Sequence, residues 1–135
     1  MGLLSRRKGC AFERLVAVKL RQALPGRTVR RSVQADRAYE PDVVIEGSGV
    51  WLELQDARKP DPEAKLEQAE RDAARVNGLP IVVWHRIRER KIHASMRLST
   101  LLKLSGVDTV WPSTGPIVHV SFGWVLERLA AMEAA

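Results

Sequence analysis

Apolar residues in the first part of the chain recur at helical spacing, with Val16, Ala17, Leu20 and Leu24 on one stripe of a helix predicted from Ser5 to about Ala23. Pro25-Gly26 closes it, because proline cannot continue a helix and glycine tolerates the turn. Beyond this point the period becomes two. Thr28–Val33 reads as a strand, Gln34–Glu40 as a polar loop, and Asp42–Ile45 as a short second strand opened by Pro41. Gly47-Ser48-Gly49 predicts a hairpin turn into a third strand, Val50–Gln55. Asp61 can cap the next helix, Pro62 fits its first turn and Asn77-Gly78 ends it. Leu66, Ala69, Ala73 and Val76 supply its apolar face. Pro80–His85 has the continuous apolar character of a central strand. Lys91–Leu98 is predicted as an edge strand, Ser99–Leu104 as a short helix capped by Ser99, Ile117–Phe122 as a strand and Trp124–Met132 as a helix. The pattern predicts a single α/β domain, 1–135. Its core (about 5–98) has a mixed central sheet flanked by helices, and residues 99–135 form a small C-terminal β-α extension.

A chain of 135 residues can bury one core without staples. No apolar run approaches the ~20 residues of a membrane span, and the Met1–Arg7 start lacks the features of a signal peptide, so a cytoplasmic protein with no membrane partner is expected. The single cysteine, Cys10, has no internal partner and reads as a buried structural thiol. His85, His93 and His119 are too scattered for a zinc site. Charge changes the picture more. Residues 1–31 carry nine cations, among them Arg6, Arg7, Lys8, Arg30 and Arg31, against Glu13 alone. That is a net +8, so the rest of this +6 chain sums to −2. A basic segment beside a mildly acidic body suits a phosphate-gripping edge next to a cation-binding centre; it equally suits a solvated basic helix.

Candidate chemistry sits on the third strand. Its alternation sends Val50, Leu52 and Leu54 to one face and Trp51, Glu53 and Gln55 to the other, so a carboxylate and an amide project together from a mostly buried strand. A desolvated carboxylate needs a partner. The hairpin would bring Asp42 near Glu53, and two carboxylates at that distance repel unless a divalent ion lies between them, Mg2+ or Mn2+ given oxygen donors. The plainer alternative pairs Glu53 with Arg58 and leaves Asp42 to cap a turn. Glu13, the only acid in the first helix, points along the apolar stripe toward the sheet.

Pro41-Asp42, then Glu53-Leu54-Gln55, then a helix with Lys65 and Gln68 resembles the PD-(D/E)XK nuclease core, whose element order is αβββαβ (restriction-endonuclease-like). Within that superfamily the likeness runs to archaeal-type and phage Holliday-junction resolvases. It lies in Arg7-Lys8-Gly9 followed by Glu13, in Arg31-Ser32 at a strand end, and in Gly78-Leu79-Pro80 before the fourth core strand. It covers about residues 5–87 and leaves the tail unexplained. One position departs: Gln55 stands where the family usually carries lysine, and Lys59 and Lys65 are the cations near enough to replace it.

The resemblance implies a metal-dependent, structure-selective DNA endonuclease. Asp42, Glu53 and the Leu54 carbonyl would hold Mg2+ or Mn2+, Gln55 would position the attacking water, and Glu13 would serve as a water-mediated ligand or hold a basic group in place. Arg6, Arg7, Lys8, Arg30, Arg31 and Ser32 would contact DNA. It further implies a homodimer acting on four-way junctions or other branched DNA, for which the apolar tail (Trp111, Ile117, Val118, Phe122, Trp124, Val125, Leu129) offers interface material or else cover for the domain's own sheet. The rival expectations are a duplex nicking or repair nuclease of the same superfamily and a DNA-binding protein with weakened catalysis.

Overall fold

The computed structural model describes residues 3–32, 40–108 and 115–134, with side chains of the first helix from Ala11 onward. Helix α1 (Leu3–Ala23) buries Phe12, Val16, Ala17 and Leu20, with Leu24 just beyond its end, the stripe that helical spacing predicts. Strands β1 (Val29–Arg31), β2 (Val43–Ile45) and β3 (Val50–Ala57) follow as an antiparallel meander. Gly47 and Gly49 make the β2–β3 turn at φ 74° and 75°, a backbone region that glycine enters without a Cβ penalty.

Helix α2 (Pro62–Ala74) begins where the sequence places it. The Asp61 carboxylate accepts from the Ala64 N–H at 3.2 Å, and Pro62 occupies the first turn, where its missing donor costs nothing. Leu66, Ala69 and Ala73 are buried, whereas Val76 is exposed because the helix has already ended at Ala74. Asn77 takes a positive φ of 54°, and the Gly78 N–H closes onto the Ala73 carbonyl at 2.9 Å. A Cβ on Gly78 would meet the Trp51 Cβ at 3.2 Å, so glycine lets this link pass tightly over β3.

Strand β4 (Leu79–Arg86) returns parallel to β3, and β5 (Ile92–Arg97) pairs antiparallel to β4. Lys91–Leu98 was expected at an edge; β5 is instead internal. Strand β6 (Ile117–Ser121) pairs along its whole length, which explains why Ala94, Ser95 and Met96 are fully buried. The expected Ser99 cap is also corrected. Helix α3 (Leu98–Leu104) starts directly from β5 with Arg97 at its cap position, and Ser99 is buried inside it.

Among the described residues the sheet is thus six-stranded and mixed, ordered β1-β2-β3-β4-β5-β6, with β3–β4 the parallel pair. Helices α1 and α4 (Phe122–Ala134) cover one face and α2 the other. The C-terminal elements continue this sheet and core. Phe122, Val125 and Leu129 are buried against α1 and the strands, and Val118 and Trp124 pack beside them, which is the self-covering role considered for these residues. Val33, the Gln34–Tyr39 part of the expected loop and Trp111 lie outside the described residues. No helix among the described residues is long and apolar enough to cross a membrane.

Candidate active site

Strand β2 has three residues and β3 eight, so β3 runs past its neighbour and opens an edge. The ladder register Val43↔Leu52 puts Asp42 directly opposite Glu53, on the same face, the one covered by α2. Past that point the Leu54 N–H has no strand partner, and Asp42 supplies one: its Oδ2 accepts from Leu54 at 2.8 Å. On the other side the Ser32 N–H donates to the Asp42 carbonyl at 3.0 Å, so this residue is held from both flanks. Within a strand the amide and carbonyl of one residue point the same way, so the Leu54 carbonyl faces the same edge as Asp42.

Glu53 stands against an apolar wall. Trp51, 4% exposed, packs with Leu66, Ala69, Ala73 and Val82, and its Nε1 donates to Glu53 Oε1 at 3.0 Å. Burial, followed by hydrogen bonding to the Asp42 carboxyl and repulsion from its charge, pushes Glu53 up to about 8; the indole donor and the positive charge of Lys65 on α2 act in the opposite direction. Glu53 therefore keeps its proton around neutral pH, hydrogen-bonded to Asp42. The two carboxyls form a place where positive charge between them is favoured. Two carboxylates with a backbone carbonyl are a hard-oxygen set, and the residues fit Mg2+ or Mn2+ completed by waters. Among the described residues no cluster of three or more histidine, cysteine or acidic side chains is gathered to hold a metal; Asp42 and Glu53 are a pair.

The other sequence-derived residues divide. Gln55 lies on the same face as Glu53, but its Oε1 accepts from the Asp61 N–H at 3.0 Å, tying β3 to the start of α2 and leaving the amide NH2 as its donor. Glu13 is not brought to the carboxylate pair. It bonds Arg31 Nε at 3.1 Å, and Arg31 stands opposite Val43 and so shares the face under α1. Of the two roles considered for Glu13, holding a basic group is the one this geometry matches. Arg30 forms a two-pronged pair with Glu40 at 2.7 and 3.1 Å and also reaches Glu46, while Ser32 Oγ donates to Glu40 at 3.3 Å. The side chains of Arg6, Arg7 and Lys8 lie outside the described residues; their backbone belongs to α1.

The Glu53–Arg58 pairing is not formed. Sequence reasoning missed Trp51 as the group that both desolvates Glu53 and bonds to it, although its alternation with Glu53 was the available signal. It also missed the pair of His85 Nδ1 with Asp56 at 2.8 Å, on the opposite face of the sheet. No protein-family model matches the chain, and no curated protein matches it either.

Proposed function

We propose that this chain is a divalent-metal-dependent DNA endonuclease of the PD-(D/E)XK type, acting in the cytoplasm on branched DNA, four-way junctions above all, as a homodimer with two opposed centres. The observation that carries the reading is the juxtaposition of Asp42 and Glu53 at the splayed β2–β3 edge, where burial and mutual repulsion raise Glu53 to about 8. Asp42, Glu53 and the Leu54 carbonyl would hold the metal. When bound, the ion would supply an activated water and charge stabilisation at the scissile phosphate.

The rest falls to the chain's own groups. Trp51 fixes the orientation of Glu53, and the Leu54 amide fixes that of Asp42. Gln55 orients water through its amide NH2. Lys65, whose charge already acts on Glu53, supplies the cation that the family carries at position 55. Glu13 positions Arg31 for a phosphate contact at the edge of the sheet. A second reading, a DNA-binding protein with weakened catalysis, draws support from Gln55 and its bond to the α2 start.

One experiment separates these. Labelled four-way junction and linear duplex are incubated with the purified chain in Mg2+, in Mn2+ and in EDTA, beside Asp42→Asn. Metal-dependent cutting of the junction that is lost in the variant supports the nuclease. Binding without cutting supports the weakened binder, and neither binding nor cutting removes both. Mn2+ binding followed by electron paramagnetic resonance, strong in the parent and lost in Asp42→Asn, reads the metal site without reference to activity.

A further inference from the structure

The remainder of the chain beyond residue 31 is acidic on average, yet its cations are not evenly spread. The β4–β5 turn holds Arg86, Arg88, Arg90 and Lys91, and the backbone beside it holds Arg58 and Lys59, six cations against the single acid Glu89. The Ile87 N–H donates to the Ala57 carbonyl at 2.9 Å, which brings the two segments to one corner. All six are exposed. Arg86 pairs with Glu89 at 3.3 Å, and among the described residues the other five make no ion pair. Six like charges at one corner repel one another, and among the described residues Glu89 pairs with only one of them, so an external polyanion is the partner they fit.

The turn is also held in shape. His85 Nε2 bonds the Glu89 carbonyl, the Glu89 N–H donates to the Arg86 carbonyl at 2.9 Å, and Arg88 adopts a positive φ of 79° at the tip. The cations are therefore presented on ordered backbone and not on a free tail. Their position relative to the carboxylates follows from register. Glu53 stands beside Val82, and Arg86 lies four residues further along β4, about 13 Å away at the usual strand rise. Phe12 stacks on His85 at 5.7 Å, so the same corner receives α1, whose backbone runs back through Lys8, Arg7 and Arg6 within two turns.

We propose that the β4–β5 turn, with Arg58 and Lys59, is a second DNA-backbone clamp that grips phosphates several nucleotides from the scissile one. This deepens the nuclease reading and rests on it.

The test is fluorescence anisotropy of a labelled duplex and a labelled four-way junction with the full chain in EDTA, over a series of KCl concentrations. The variant is Arg88→Asn with Arg90→Gln and Lys91→Gln, asparagine being chosen because it tolerates positive φ. The control variant is Arg6→Gln with Arg7→Gln and Lys8→Gln, and circular dichroism checks that both fold. The clamp predicts about tenfold weaker binding near 100 mM salt and a slope of log affinity against log salt that is shallower by about two to three. A clamp variant that matches the parent in affinity and slope, while the control variant does not, overturns the clamp and leaves the nuclease standing. A parent that binds neither DNA overturns both. Should the triple variant fail to fold, Arg58→Gln with Lys59→Gln, outside the turn, must show the same loss on a smaller scale for the proposal to survive.

Discussion

The two faces of one sheet are built to different rules. Under α1 and α4 the strands present Val43, Ile45, Leu52, Leu54, Ile81, Val83, Ala94 and Met96, an apolar layer closed by Phe122, Val125 and Leu129, with the Arg31–Glu13 and His85–Asp56 pairs at its margins. Under α2 the buried patch is Trp51, Val82, Leu66, Ala69 and Ala73, and around it the same strands present Glu53, Gln55, Trp84, Ser95 and Arg97. Each of those polar groups is satisfied in place. Trp84 Nε1 donates to the buried Ser95 Oγ at 2.8 Å, His119 Nδ1 lies 2.6 Å from the same oxygen, and Arg97 grips Glu70 with two bonds of 3.0 Å. A strand alternates its side chains, so one stretch such as Val50–Gln55 serves both faces at once, stability on one and candidate chemistry on the other.

If that division is real, substitutions on the two faces must separate activity from stability. Asp42→Asn or Glu53→Gln should lower metal-dependent cleavage at least about 10²-fold, since loss of groups that merely orient metal ligands already costs 10–100-fold. In EDTA above pH 8, where Glu53 has lost its proton, the same variants should melt at or above the parent's temperature, because one of two repelling carboxylates is gone. A marked loss of stability would show that the pair is structural.

Leu52→Ala, one residue away on the other face, should do the reverse. Leu52 is fully buried, and its truncation should cost about 2–5 kcal/mol in a denaturant titration while the folded fraction keeps cleavage close to the parent's. Cleavage that falls faster than the folded fraction would mean that the faces are coupled.

Much of this division is legible in the chain because it depends on short-range pattern. The αβββαβ order, the α2 cap at Asp61, the hairpin glycines and the pairing of Asp42 with Glu53 all follow from periods and turn residues within a few positions. What was not legible depends on partners far apart. Strand β5 is internal because residues 117–121 return to it, and Ser99 is no cap because the chain enters α3 directly from that strand. Glu13 lies on a helix face that points at the sheet, as its spacing implies, but which side of the sheet that helix covers is a tertiary fact, and Arg31 intercepts it there. The basic turn was hidden by averaging over an acidic remainder.

Within the α2 face, Lys65 and Gln55 should differ. Lys65→Ala removes a charge acting on Glu53 and should cost cleavage about tenfold or more. Gln55→Ala removes an acceptor from the α2 start, with a stability cost of about 1 kcal/mol and a smaller effect on rate. Gln55→Lys should cleave better than Gln55→Ala. Equal rates for Lys65→Ala and the parent would return the catalytic cation to another residue.

Acid–base titration sharpens the same face. The folded state holds the Glu53 proton up to about 8, whereas the unfolded chain releases it near 4.5, so between those values the folded form binds more protons. In EDTA this contribution to stability is fully present below 4.5 and is lost as pH rises toward 8. Mg2+ should offset that loss, raising the melting temperature more at pH 8 than at pH 5. Glu53→Gln should flatten the metal-free profile. A profile unchanged by that substitution would mean that Glu53 titrates normally.

The smallest effect belongs to the other face, at the His85–Asp56 pair. Burial works against the charged imidazole, but the Asp56 carboxylate and the Glu89 carbonyl outweigh it, and His85 is held above its ordinary value of 6.5. A raised histidine stabilises the fold fully below its unfolded pKa, and that contribution disappears as pH climbs through the folded one. Asp56→Asn should therefore destabilise by about 1 kcal/mol or less, most of it below pH 6.5, with a small remainder above because asparagine still offers a hydrogen-bond acceptor to the neutral ring. Thermal melts of parent and variant between pH 5 and 8.5 give the comparison directly. A gap that widens with rising pH has the wrong sign for this pair and would assign the stabilisation to the neutral ring stacked on Phe12.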